Sequence, residues 1–182
     1  MKKEAATYAE ELPGVNVIAL DLYDGQGGHY PRRSRQADAG RENRAAPPPS
    51  SRAPKPYAGP KAEFASIGWC FGGGWSLQAA LLGGKQTVGC VMYYGMPEKD
   101  VARLKSLNSD VLGIFAEQDK WINPTVVGQF EKDMAAAGKK VTVKEYPADH
   151  AFANPSNPKY SKELAADAHQ KALAYLKARL KA

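Results

Sequence analysis

A chain of 182 residues with a formal charge of +6, 43% hydrophobic side chains and two cysteines is long enough for one domain with a substantial core. Two cysteines without a paired spacing exclude a disulfide framework and a zinc site. The opening Met1-Lys2-Lys3-Glu4 is polar, so neither a signal peptide nor a membrane span is expected, and a cytoplasmic setting is the expectation. The basicity is local: residues 27–56 hold seven Lys or Arg against Asp38 and Glu42, so +5 of the charge lies in one segment and the remainder is nearly neutral. No nucleic-acid partner is expected from such a distribution.

In chain order, residues 2–12 predict an amphipathic helix with Ala5, Tyr8, Ala9 and Leu12 on one face. Pro13-Gly14 stops it, and Val15–Leu20 predicts a buried strand. Residues 27–56 contain no Leu, Ile, Val, Met or Phe and hold six of the thirteen prolines. They cannot bury enough apolar area to fold, and are expected to be disordered or translated out of frame within a single domain spanning 1–182. From Tyr57 strands and helices alternate: strand 63–69, helix 75–83, strand 87–94, short helix 100–107, strand 111–116. A helix capped by Asn123, with Pro124 as its first residue, runs to Gly138 with Val127, Phe130 and Met134 on one face. Strand 141–146 and a helix over 161–180 complete the chain, the latter with Leu173, Leu176 and Leu180 as its seam. This alternation predicts an α/β fold, a mostly parallel sheet of five strands with helices on both faces.

Between the strand at 63–69 and its helix stands Gly68-Trp69-Cys70-Phe71-Gly72-Gly73. A sharp strand-to-helix turn crowded with glycines is the setting of a nucleophile elbow, here with cysteine where serine is usual. A thiol at a helix N-terminus meets a dipole and free N–H groups that favour the thiolate. In this architecture the acid and the histidine follow in order. Asp119 comes after the strand at 111–116 and His150 after the strand at 141–146, at the sheet end where ligands bind. Cys90, within an apolar strand, is expected to be core. Trp69, Trp75, Tyr94, Trp121 and Phe152 fall near these positions and could line a pocket.

Together, Gly68-Trp69-Cys70-Phe71-Gly72-Gly73, Ala116-Glu117-Gln118-Asp119 and Asp149-His150-Ala151-Phe152 resemble the dienelactone hydrolase family of α/β-hydrolases, over residues 1–26 and about 57–182. The resemblance implies Cys70 as nucleophile, His150 as base and Asp119 as the residue orienting it. It implies hydrolysis of a small-molecule lactone or carboxylic ester through a thioester, with no metal or organic cofactor. The N–H of Phe71 would give one oxyanion donor.

The chain starts inside what resembles the family's first helix, so earlier strands, the second oxyanion donor and a glutamate that interacts with the nucleophile would lie upstream. The family's carboxylate-binding arginine would fall near 23–27, where Tyr23-Asp24-Gly25-Gln26 supplies none. The rival expectation is a catalytically silent fragment that keeps the triad without a complete oxyanion hole. The sequence specifies neither the physiological substrate nor the oligomeric state.

Overall fold

The computed structural model describes residues 2–20 and 62–182. The expected disordered or out-of-frame stretch at 27–56 and the sought arginine position lie outside the described residues. The chain divides into two units, Met1–Tyr57 and Ala58–Ala182.

In the first unit, α1 (Lys2–Glu11) buries Tyr8, leaves Ala5 half-buried and exposes Ala9, and Leu12 just beyond its end is buried. Gly14 turns the chain at φ 82°, a conformation that glycine adopts without steric cost. Val15–Leu20 is not a strand, contrary to the expectation from its composition, and Ile18 and Leu20 are exposed. A strand exists through its ladder of hydrogen bonds to a neighbour. Among the described residues this segment has no such ladder.

The second unit runs β1 (Phe64–Trp69), α2 (Phe71–Gly83), a short 3₁₀ turn, β2 (Thr87–Tyr93), α3 (Val101–Leu104), β3 (Val111–Ala116), α4 (Pro124–Ala136), β4 (Val141–Tyr146) and α5 (Lys162–Leu180). The four strands pair in the order β1-β2-β3-β4, every pair parallel. Parallel neighbours need crossovers, which the helices supply. Alternation of side chains across each strand separates two faces. On one, Cys90, Met92, Val111 and Phe115 join Leu77, Ala80 and Leu81 of α2 and Val127, Phe130 and Met134 of α4 in a single core. Fully burying a Leu, Met or Phe contributes about 1.5–3 kcal/mol each, so this face holds much of the unit's stability.

The opposite face takes α5, which buries Ala168, Ala172, Leu173 and Leu176; Leu180 is only half-buried. Gly89 lets α5 lie against β2, since a Cβ there would stand 3.1 Å from the Tyr175 ring. The Cys90 N–H donates to the Tyr175 hydroxyl at 3.1 Å, and Arg179 Nε donates to Asp110 Oδ1 at 2.8 Å. These bonds tie the C-terminal half of α5 to the middle of β2 and the start of β3. Burial would push the Asp110 carboxyl up, but the Arg179 and Tyr175 hydrogen bonds hold it below the usual carboxylate range.

The cap on α4 follows the sequence, and α5 has one as well. Asn123 Oδ1 accepts from the Val126 N–H at 3.1 Å, and Ser161 caps α5 through Leu164 N–H at 3.4 Å. Among the described residues no helix is long and apolar enough to cross a membrane.

Candidate active site

The turn between β1 and α2 is tight because backbone meets backbone. A Cβ on Gly68 would lie 2.0 Å from the carbonyl oxygen of Gly72, and one on Gly73 would lie 2.6 Å from that of Tyr93. Gly72 has open space around its Cβ direction. The steric demand therefore falls on Gly68 and Gly73, not on every glycine of the motif. Gly68→Ala should cost about 3 kcal/mol or more, since fixed backbone atoms cannot yield as side chains do. Gly72→Ala should fold normally. Urea unfolding of the two variants beside the parent checks this; equal midpoints would show the elbow to be looser than its geometry.

Cys70 occupies the apex at φ 55°, ψ −123°, a conformation that costs a non-glycine residue on the order of 1–3 kcal/mol. It is held by its own N–H donating to Tyr93 O at 3.0 Å, and by its carbonyl accepting from Gly73 and Gly74 at 2.9 and 3.3 Å. These bonds use two of the N–H groups that open α2 and turn the helix start toward Cys70. The thiol is exposed. Helix α2 begins at Phe71, immediately behind it, rather than at residue 75 as its composition suggests.

Asp119 lies in the loop after β3, 3% exposed. Its Oδ1 accepts from the Trp121 and Ile122 N–H groups at 2.9 and 3.1 Å. The free oxygen, Oδ2, lies 2.5 Å from His150 Nδ1. The other ring nitrogen, Nε2, lies 3.2 Å from Cys70 Sγ. Backbone bonds hold the two loops together, Glu117 N–H to Tyr146 O at 2.9 Å and Gln118 N–H to Ala148 O at 3.0 Å. Three residues separated by 49 and 31 positions thus form one continuous chain of contacts.

The aromatic candidates divide by position. Tyr94 and Trp121 set their rings edge-on to His150, with centroids 5.1 and 5.6 Å away. Trp121 is 66% exposed, whereas Tyr94 and Phe152 are buried. Phe152 lies against Tyr94 and Tyr146, not against His150. Trp75 meets the exposed ring of Phe71, and Trp69 stacks on Tyr93. Met96, half-exposed, passes its backbone over Gly74 of the first turn of α2.

Two features escaped sequence reasoning. Tyr94 and Ala151 both have positive φ, 34° and 61°, so with Cys70 three strained non-glycine residues lie in or beside this cluster. Asn157 Nδ2 donates to the carbonyl of His150 at 3.3 Å. Only the turn-rich Asn154-Pro155-Ser156-Asn157-Pro158 hinted at an ordered loop there.

A model of the dienelactone hydrolase family matches residues 11–180. A protein of Saccharolobus solfataricus assigned as a carboxymethylenebutenolidase is 29% identical over 119 residues, which cover 63% of this chain and 44% of that protein. Among solved structures, a Klebsiella pneumoniae protein assigned as a dienelactone hydrolase is 29% identical with TM-score 0.52, over 60% of this chain and 50% of that one. A dienelactone hydrolase-like promiscuous phosphotriesterase from metagenomic libraries is 19% identical with TM-score 0.56, over 63% and 52%; that likeness speaks for the fold alone. The chain spans about half the length of these relatives or less.

Proposed function

The chain belongs to the dienelactone hydrolase family, and from that premise we propose that it hydrolyses a carboxylic ester or lactone with Cys70 as nucleophile. The observation that carries this reading is the position of His150, one ring nitrogen 2.5 Å from a buried carboxylate and the other 3.2 Å from an exposed thiol. Nucleophile, base and orienting acid stand within reach of one another, as acyl transfer requires.

In the proposed mechanism His150 Nε2 takes the Cys70 proton as sulfur attacks the carbonyl carbon. Asp119 holds the Nδ1 proton and steadies the imidazolium. The Phe71 N–H, first of α2 and next to the nucleophile, stabilises the oxyanion. Collapse breaks the C–O bond, and the leaving alkoxide takes the proton from His150. Water, deprotonated by the same nitrogen, then cleaves the Cys70 thioester and restores the thiol. The small-molecule substrate meets Phe71 and Trp121, both large, apolar and more than half exposed. That rim favours an apolar acyl or alcohol part, with Trp69, Trp75, Tyr94 and Phe152 supporting it from behind. A cytoplasmic, reducing setting suits a free nucleophilic thiol.

A nitrophenyl ester tests the reading. Mixing it with the purified chain should release a burst of one nitrophenolate per chain, and mass spectrometry should find the acyl group on the Cys70 peptide. Slow release with no acyl adduct, or an adduct elsewhere, would favour a silent fragment.

A further inference from the structure

The strand before His150 and the loop of Asp119 fix the approach of the chain to the histidine, but not its exit. On the far side stands Ala151 at φ 61°, a left-handed conformation that alanine leaves readily when nothing holds it. Relaxing it would rotate the peptide joining residues 150 and 151, and with it the carbonyl of His150 and the base of its side chain.

One side chain grips that peptide. Asn157 Nδ2 donates to His150 O at 3.3 Å. Asn157 is itself tied down at its other polar groups: its Oδ1 accepts from Lys159 N–H at 2.8 Å, its N–H donates to Asn154 O at 2.9 Å, and its carbonyl accepts from Tyr160 N–H at 3.0 Å. Asn154 N–H in turn donates to Ala151 O at 3.0 Å. The result is a closed ring of bonds through 150, 151, 154 and 157. Outside it, Ser161 N–H donates to Phe152 O at 3.0 Å and Lys159 Nζ pairs with Asp149 at 2.8 Å.

We propose that Asn157 is a positioning residue for the base: its amide locks the strained His150–Ala151 peptide and so keeps the imidazole between Asp119 and Cys70. It touches no reacting atom. The inference rests on the reading of His150 as the base, and a histidine variant run alongside separates the two.

Asn157→Ala removes the clamp. Asn157→Asp keeps the shape and the acceptor for Lys159 N–H but places an oxygen where the donor was. Both should lower kcat for an activated ester by about tenfold to hundredfold, the scale expected when a reacting group is displaced by about an ångström. KM should stay within about twofold. The pH profile of Cys70 alkylation should move toward that of His150→Ala, because the thiol loses its partner; a merely structural asparagine would leave that profile unchanged. Wild-type kcat and alkylation profile in Asn157→Asp, with His150→Ala inactive, would overturn the proposal, as would a fall in kcat that tracks only a lost folded fraction. If Asn157→Ala fails to fold, the near-isosteric aspartate variant decides. An active His150→Ala would instead remove the reading beneath it.

Discussion

Cys70→Ala should lower kcat/KM for a nitrophenyl ester by about 10³-fold or more, since removing a nucleophile that acts as a unit with its base abolishes most of the catalysis. The prediction is clean for two structural reasons. Alanine tolerates φ 55° no worse than cysteine, so the elbow keeps its shape and the unfolding free energy should move by less than about 0.5 kcal/mol, as for an exposed side chain outside the core. The second thiol cannot take over. Cys90 is fully buried in the face packed by α2 and α4, and burial pushes its thiol up to about 11. It is neither accessible nor ionised near neutral pH. Cys70→Ser should retain a small residual rate, because an alkoxide demands more of the same base than a thiolate does. The checks are steady-state rates beside a thermal melt for each variant. A folded Cys70→Ala chain with the parent's rate would mean that hydrolysis runs through another group.

What the sequence made legible followed from periodicity and punctuation. The strands at 64–69, 87–93 and 111–116 are largely apolar runs bounded by turn residues, the strand at 141–146 mixes Val141, Val143 and Tyr146 with polar residues, and α4 carries a cap that can be read directly. Val15–Leu20 has the same apolar character and is no strand, because composition states a willingness to pair and not the presence of a partner. The start of α2 was hidden by Gly72, Gly73 and Gly74, which lower helix propensity. Gly73 is nevertheless there because a Cβ would strike the Tyr93 carbonyl and Gly95, a demand set by residues twenty positions on. The chain order of Cys70, Asp119 and His150 was visible in one dimension. Their separations were not, and neither was the positive φ of Tyr94 or Ala151, because backbone strain in a non-glycine residue leaves no mark on its identity. Asn157 was invisible for the same reason: an amide seven residues past the histidine looks like any loop asparagine.

Asp119→Asn should cost about 10³–10⁴-fold in kcat while leaving the loop folded, and the reason lies in which atoms accept and which donate. The carboxylate is acceptor-only. Its Oδ1 serves the Trp121 and Ile122 N–H groups, and its Oδ2 faces His150 Nδ1. An asparagine can keep the first two bonds with its carbonyl oxygen, and then its NH₂ must face Nδ1. Two donors cannot share that contact, so the imidazole carries its proton on Nε2 instead. That nitrogen, 3.2 Å from Cys70 Sγ, would then donate where it must accept, and the thiol would keep its proton. A wrong tautomer in an intact geometry is worth about 10⁴ in kcat in the analogous serine triad. Asp119→Ala should behave differently in stability. It leaves the buried Ile122 N–H and the part-buried Trp121 N–H without their acceptor, the buried one costing about 1–3 kcal/mol, so it should melt below the asparagine variant while being no more active. Equal melting of the two variants would mean that Trp121 and Ile122 do not depend on this carboxylate. A fully active asparagine variant would mean that His150 takes its tautomer from some other neighbour.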